Sequence, residues 1–301
     1  MIVIIGGTGL IGRALCKKLI SEGAKVAVVT RDVDKARGEF SEAVEIVNFD
    51  VDSLSKIIDG AKAVINLAGE SIAQGRWTRA KKRRIFESRI NSAKILKSAI
   101  QKTKNKPIVV IQASATGVYG DRADEELTEI STPGAGFLAE VCKSWEHTNI
   151  DYAELGVNHK TLRFGVVLMP EGGFLKKLLP MFKFGLGAIT GSGQNYVPWI
   201  HIDDLVNAIL FLIEKPELTG VFNVTSPKSE KSIIMNRTIG KVLHRPVLLK
   251  IPGFILKLFL GQVARELILS SQNVSPVKLL EAGFQFAHPE LEEALQNLLA
   301  K

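Results

Sequence analysis

The run IVIIGGTGLIGRAL, residues 2–15, constrains this chain more than any other stretch. Four β-branched residues stop at a cluster of glycines, and apolar residues at three- and four-residue spacing follow. That order predicts a strand, a tight turn and a helix. Gly6, Gly9 and Gly12 stand in a G-x-x-G-x-x-G pattern, and each has a steric reason to be glycine: a positive φ in the turn, close approach of backbone to a pyrophosphate, and contact of helix on strand. A helix that starts there offers free N–H groups and a partial positive charge to phosphate. Gly6, Thr8, Gly9, Leu10, Ile11 and Gly12 are therefore the expected phosphate-side residues of a nucleotide cofactor.

The pattern continues beyond this unit. KVAVVT, VEIVNF, AVINLA, PIVVIQAS and HKTLRFGVVL have strand length and β-branched composition. GRALCKKLISEG, DVDSLSKIIDG, RINSAKILKSAIQK and FLAEVCKSWEHTN have helical spacing and alternate with them. Alternation of this kind predicts an α/β fold, a Rossmann-type doubly wound parallel sheet with helices on both faces. After Leu168 the chain reads as a helix and loop, then a strand and helix in WIHIDDLVNAILFLIEKP, a last short strand in VFNVT, and a mainly helical remainder. The expected division is a Rossmann domain of 1–168 plus about 197–225. A smaller, mainly helical C-terminal lobe takes about 169–196 plus 226–301, with a substrate cleft between the two.

Charge narrows the function classes. With 39 Lys and Arg against 31 Asp and Glu the net charge is +8, compatible with nucleic acid, acidic lipid or a phosphorylated small molecule. Seven of the basic residues fall in GRWTRAKKRRIFESR, residues 75–89. This is either a solvated helix face or the rim of an anion site. No nucleic-acid motif accompanies it, so nucleic acid is not expected. No apolar run is long enough to span a membrane. The two cysteines, the apolar start without a leader pattern, and the absence of a disulfide framework point to the cytoplasm. His147, His159, His201, His244 and His288 show no ligand spacing, so no metal site is expected.

Cofactor choice is read where the second strand ends in VVTRD. Thr30 and Arg31 stand where dinucleotide folds read the adenosine ribose, and Arg suits a 2′-phosphate. NADP(H) is favoured, although Asp32 one position on would favour NAD. Asp50 and Val51 follow the third strand, where a carboxylate can meet adenine. Leu67, Ala68 and Gly69 close the fourth strand with little bulk beside the cofactor, and Val167 lies at the end of a later strand.

NLAGESI, GRWT, SR after a basic helix, FLAEVCKSWE, GVVL, GSG, PWIHIDDL and LLEAGFQFAHPELEEAL together resemble the atypical extended short-chain dehydrogenase/reductases of the "epimerase family protein" group. That group carries a C-terminal domain of unknown function, here about 247–295. The resemblance spans almost the whole chain and implies a Rossmann fold, NADP(H) and superfamily proton chemistry by Ser or Thr, Tyr and Lys with a helical Asn. Position by position the proton set is missing. Ala115 replaces the hydroxyl of the strand-end motif at 114–120. Leu138 or Phe137 stands for Tyr, Cys142 or Val141 for Lys, and Arg89 for Asn. Val197 and Pro198 replace the Arg–Asp pair of nucleotide-sugar enzymes, which disfavours such a substrate.

The remaining candidate proton donors are Glu70, after NLAG, Tyr119 in VYG, and His201 in WIHIDD. Each also has a plain structural role available: backbone or ribose binding, packing under the cleft, and strand packing. Arg76 and Trp77 share a loop with Glu70, and Arg89 reads as an anion ligand for cofactor phosphate or a substrate carboxylate. Two functions follow. One is an NADP(H)-dependent oxidoreductase on a small, anionic carbonyl or hydroxyl compound with a non-standard donor. The other is an inert NADP(H)-binding regulator or sensor. The superfamily implies a monomer or a homodimer.

Overall fold

The computed structural model describes residues 1–148 and 152–299. Asn149, the last residue of the helical pattern FLAEVCKSWEHTN, and the terminal Ala300 and Lys301 lie outside them. The central sheet has seven parallel strands: β1 (Ile2–Ile5), β2 (Val26–Thr30), β3 (Val44–Asn48), β4 (Ala63–Asn66), β5 (Val109–Ala115), β7 (Asn158–Phe164) and β12 (Gly220–Val224). Their spatial order is β12-β7-β5-β4-β1-β2-β3, so the chain reverses direction across the sheet beside β1, and ligands gather at such a switch point.

Helices cover both faces. α1 (Leu10–Ser21) and α7 (Ile202–Ile213) lie on one side, and α3 (Val51–Ile57) and α4 (Arg79–Lys102) on the other; the short α2 (Val33–Arg37) follows β2. The β-branched runs sort by parity, as strand geometry requires. Ile2, Ile4, Val26, Val28 and Ile65 pack with Leu15, Leu19, Leu205 and Ile209. Val3, Ile5, Val29 and Val64 pack with Leu54, Ile57, Leu96 and Ile100. Burial on both faces explains why these strands read as continuous apolar runs rather than alternating ones. Each such side chain contributes about 2 kcal/mol.

The expected strand HKTLRFGVVL is two strands. β7 stays in the sheet, while β8 (Val166–Leu168) leaves it to pair with β11 (Trp199–His201). The break is at Gly165, where a Cβ would fall 2.7 Å from the Pro198 carbonyl oxygen. Three further small ladders tie distant chain together: β6 (Glu126–Leu127) with β15 (Asn273–Val274), β9 (Ala188–Thr190) with β14 (Leu249–Ile251), and β10 (Tyr196–Val197) with β13 (Glu230–Lys231). α5 (Phe137–His147) packs on α4. Beyond the sheet, α6 (Gly173–Lys183), α8 (Ser232–Val242) and α11 (Leu291–Leu299) share a core of Leu175, Leu179, Phe182, Met235, Ile239, Leu291 and Leu295. α9 (Gly253–Leu260) and α10 (Val277–Glu281) complete the helical C-terminal region.

Candidate functional site

The glycine turn has the shape its spacing predicts. Gly6 has φ +80°, and a Cβ there would meet the Ala68 backbone at 3.0 Å. At Gly12 a Cβ would lie 2.6 Å from both the Gly6 carbonyl oxygen and the Gly7 Cα, so α1 is seated directly on the turn. The first turn of α1 begins at Gly9 with no side-chain cap and no acidic residue. Its free N–H groups and partial positive charge are thus left for an external anion. Leu10 and Ile11 are outward and half-buried respectively, with Leu10 packed against Gly172 at the start of α6.

Beyond the end of β2 a hollow of about 440 Å³ is lined by Thr8, Arg13, Thr30, Arg31, Asp32 and Lys35. Arg13 is held by Glu39 at 2.8 Å and by the Thr8 carbonyl. Asp32 is the N-cap of α2: it accepts from the Lys35 N–H at 3.1 Å, while its own N–H donates to Thr30 Oγ1. Arg31 is exposed beside it, with no ion pair among the described residues. Asp50 is likewise an N-cap. Its Oδ1 accepts from the Ser53 N–H and its Oδ2 from Ser53 Oγ and Asn48 Nδ2, and these bonds, the Ser53 N–H first, hold its carboxyl below the usual range. The side chain expected to meet adenine thus also starts α3, with Val51 as that helix's first residue.

NLAG closes β4 through buried Asn66. Its Nδ2 donates to Ser92 Oγ and Gln112 Oε1, and its Oδ1 accepts from the Ala68 N–H, which fixes the turn at Leu67, Ala68 and Gly69. Behind Gly69 lies Arg89: a Cβ on Gly69 would be 3.1 Å from its guanidinium carbon. Arg89 Nη1 donates to the carbonyls of Glu70 and Ile85, and the guanidinium stands 5.1 Å over the Trp145 ring. Burial draws its pKa below the usual arginine value. No carboxylate pairs with it among the described residues, so its other N–H groups can serve an anion.

Of the three proton-donor candidates, two are committed elsewhere. Tyr119 has no exposed surface. Its hydroxyl donates to Thr128 O or Asn223 Oδ1, at 2.9 and 2.7 Å, and accepts from Arg163 Nη1 at 2.9 Å; burial raises its pKa. It is a structural phenol beneath the sheet end and does not face a cleft. His201 is also buried, its ring 3.9 Å from that of His288 and tilted 37° to it, and its Nδ1 accepts the Asp203 N–H as N-cap of α7. Where sequence spacing shows no ligand set, folding brings His201, Asp203 and His288 within 4.8 Å of one another. The capping bond on Nδ1, however, uses a lone pair that a metal would need.

Glu70 is placed differently. It is half-buried, its N–H donates to Ser88 Oγ, and its carboxylate accepts from Lys81 Nζ at 2.6 Å with Arg84 3.9 Å away. The Lys81 bond, more than the field of Arg84 and Arg31, holds Glu70 below the usual carboxylate pKa, so it is an anion at neutral pH and not an acid. Lys81 itself is only 7% exposed. Sequence reading counted it among the basic run, because its partner lies eleven residues back across a loop; only the Thr78 cap, which accepts from the Lys81 N–H, marks its position on α4.

The place of the absent Tyr–Lys pair is filled. Leu138 and Val141 of α5 pack with Trp77 and Ile85, joined by Ile72, Phe137 and Val263. Trp77 donates its indole N–H to the Ile72 carbonyl and meets Phe137 edge-on at 5.2 Å. Cys142 is buried, and burial pushes its thiol up to about 11. Ser114 donates to Glu146 Oε1, which with Oε2 binds Arg163. The other conspicuous hollow, about 610 Å³, lies at the opposite edge of the sheet between α1 and α7, with Lys18, Lys62 and Phe211 in its wall. It is remote from the loops at the carboxyl ends of the strands.

Residues 2–225 match the NAD dependent epimerase/dehydratase family, and residues 251–298 match a domain of unknown function, DUF1731. The chain is 36% identical over 300 residues to the chloroplastic SDR39U1 homolog of Arabidopsis thaliana, an epimerase family protein, covering 98% of this chain and 86% of that one. It is 34% identical to epimerase family protein YfhF of Bacillus subtilis, over 99% and 98% of the two chains. The crystal structure of human epimerase family protein SDR39U1 with NADPH superposes with a TM-score of 0.88 at 29% identity, covering 100% of this chain and 99% of that one. UDP-glucose 4-epimerase of Thermotoga maritima, at 20% identity and TM-score 0.79 over 99% and 97%, shares the fold.

Proposed function

Because this chain belongs to the NAD dependent epimerase/dehydratase family, we propose that it is an NADP(H)-dependent oxidoreductase of atypical kind, acting on a small anionic carbonyl or hydroxyl compound. The family supplies a NAD(P)-binding fold. The choice of NADP(H) rests on Arg31 in the hollow after β2, with Asp32 turned to capping α2, and on NADPH in the human relative's crystal. The glycine turn, the uncapped start of α1 and the Leu67–Ala68–Gly69 bend fit a dinucleotide, since Gly6 and Gly12 let the turn close tightly on the Ala68 backbone and on α1 while the first N–H groups of α1 stay open. Gly6, Thr8, Gly9, Leu10, Ile11, Gly12, Thr30, Arg31, Val51, Leu67, Ala68, Gly69 and Val167 would hold it. Asp50, which also caps α3, would meet adenine. Arg89 would take a cofactor phosphate or the substrate's anionic group.

When bound, the reduced nicotinamide supplies a hydride. The chain's own task is then to place the carbonyl and give its oxygen a proton. The observation that carries the reading is the Lys81–Glu70 pair, a nearly buried ammonium and a carboxylate at the end of β4. Lys81 would donate a proton and regain one from solvent, while Glu70, staying ionised, would hold the ammonium in place. Ser88, through the Glu70 N–H, fixes the carboxylate's backbone.

A panel of small keto acids and aldehydes with NADPH tests this. Lys81→Met should lower turnover by about a hundredfold or more while NADPH binding, read by fluorescence, stays within a few fold. A second reading is favoured by the apolar cluster of Leu138, Val141 and Trp77 where the superfamily keeps its acid: an NADP(H)-binding regulator without turnover. Wild type that binds NADPH tightly and consumes none across the panel would establish that reading instead.

A further inference from the structure

The stretch LLKIPGFILKLFL, residues 248–260, is the most apolar in the C-terminal region, yet it enters no core. α9 has no buried residue: Phe254, Leu258 and Phe259 are 71%, 73% and 63% exposed. Leu248, at 84%, and Leu249 stand beside it. Phe184 and Leu186, 83% and 52% exposed, come from the segment after α6. They are brought alongside because β9 pairs in parallel with β14, Ala188 opposite Leu249, and because Arg245 donates to the Lys183 carbonyl. The ladder is three residues long, about 10 Å, so the two groups flank one short ladder. Folded monomers rarely leave so many large apolar side chains together without a use for them.

Charge selects the occupant. From 172 to 202 the sequence has no Asp or Glu but has Lys176 and Lys183, besides Lys177, whose ammonium donates to the Ala73 carbonyl; from 242 to 265 it again has none but has Arg245, Lys250, Lys257 and Arg265. A two-fold contact with a second copy would set these cations against themselves. An anionic lipid surface receives both components, apolar side chains at the acyl boundary and ammonium groups among the headgroups. No helix among the described residues is long and apolar enough to cross a membrane, so the attachment would be to the surface alone.

We propose that α9, with Leu248 and Phe184, docks this protein onto the surface of an anionic bilayer. The basic excess, which the cofactor site only partly uses, then has a second role. The docking stands apart from the proposed reaction: it involves neither Lys81 nor Arg31.

The test is co-sedimentation of the full chain with vesicles of phosphatidylcholine and phosphatidylglycerol in equal parts, against vesicles of phosphatidylcholine alone. The protein should pellet with the mixed vesicles, and less so as salt rises. Lys250→Gln with Lys257→Gln should lower the partition about fivefold per lysine. Phe254→Ser with Leu258→Ser should lower it roughly a hundredfold. Because α9 buries nothing, melting temperature and NADPH affinity should be those of wild type, which separates lost docking from lost folding. Wild type that stays in the supernatant, pelleting indifferent to phosphatidylglycerol, or pelleting that the variants leave unchanged would each overturn the proposal. So would gel filtration showing a dimer that Phe254→Ser with Leu258→Ser makes monomeric, since the patch would then be a contact between copies.

Discussion

Arg31 and Asp32 are neighbours with opposite charge, and the sequence alone leaves both eligible to face the adenosine ribose. A single backbone bond distinguishes them: the Asp32 carboxylate accepts the Lys35 N–H and starts α2, while Arg31 stands exposed in the wall of the same hollow. Capping competition of this kind can be guessed from a D-x-x-K pattern but is settled only by the helix that follows. Arg31→Ala should weaken NADP(H) binding by about 2 kcal/mol and NAD(H) binding by much less, measured by titration of both cofactors. Equal losses would mean that another cation reads the phosphate. His159 gives a pH signature. It is stacked on Tyr152, and burial lowers its pKa from 6.5 to about 4. Between those values the unfolded chain binds a proton that the folded one refuses, so its contribution to stability is complete above about pH 6.5 and falls as pH drops toward 4. Chemical denaturation of His159→Phe across that range should show a shallower acid slope than wild type.

At the scale of elements, α5 shows what local pattern can and cannot disclose. FLAEVCKSWEH is legible as a helix, and its apolar positions as a buried face. Its start is not, because its cap comes from far along the chain. Gly136, with φ +115°, offers no side chain, and Glu266 accepts the N–H groups of Phe137 and Leu138 at 3.1 and 2.9 Å. A Cβ on Gly136 would fall 3.1 Å from that carboxyl carbon, so glycine is required twice over. Glu266→Gln should cost about 1 kcal/mol and Gly136→Val more, by thermal unfolding. A Glu266→Gln protein as stable as wild type would show that this cap is replaceable by water. The loss of the Tyr–Lys pair was legible from α5 itself. What fills its place was not, since Trp77, Ile85 and Val263 arrive from other elements.

For the whole molecule, the alternation of strands and helices conveyed the parallel sheet, because burial on both faces leaves a simple apolar mark. The ladders β6–β15, β9–β14 and β10–β13 left no such mark, being two or three residues long and dependent on contacts between remote segments. They bind the C-terminal region closely. Ser271 accepts the Tyr196 N–H and donates to the Ala123 carbonyl, Gln272 donates to the Gly120 carbonyl, and Asn223 donates to that of Ser275. A chain ended at 245 would lose these bonds together with the cap on α5. It should fail to give a cooperative melting transition, whereas cleavage of the full chain in an exposed loop should not abolish one.

Arg76 joins these scales. Its Nε and Nη2 both donate to the Phe259 carbonyl, at 2.9 and 2.5 Å, so the loop bearing Glu70 and Trp77 is moored to the last turn of the unburied helix. Through that one guanidinium a segment distant by 183 residues of chain holds its station beside the loop that follows β4.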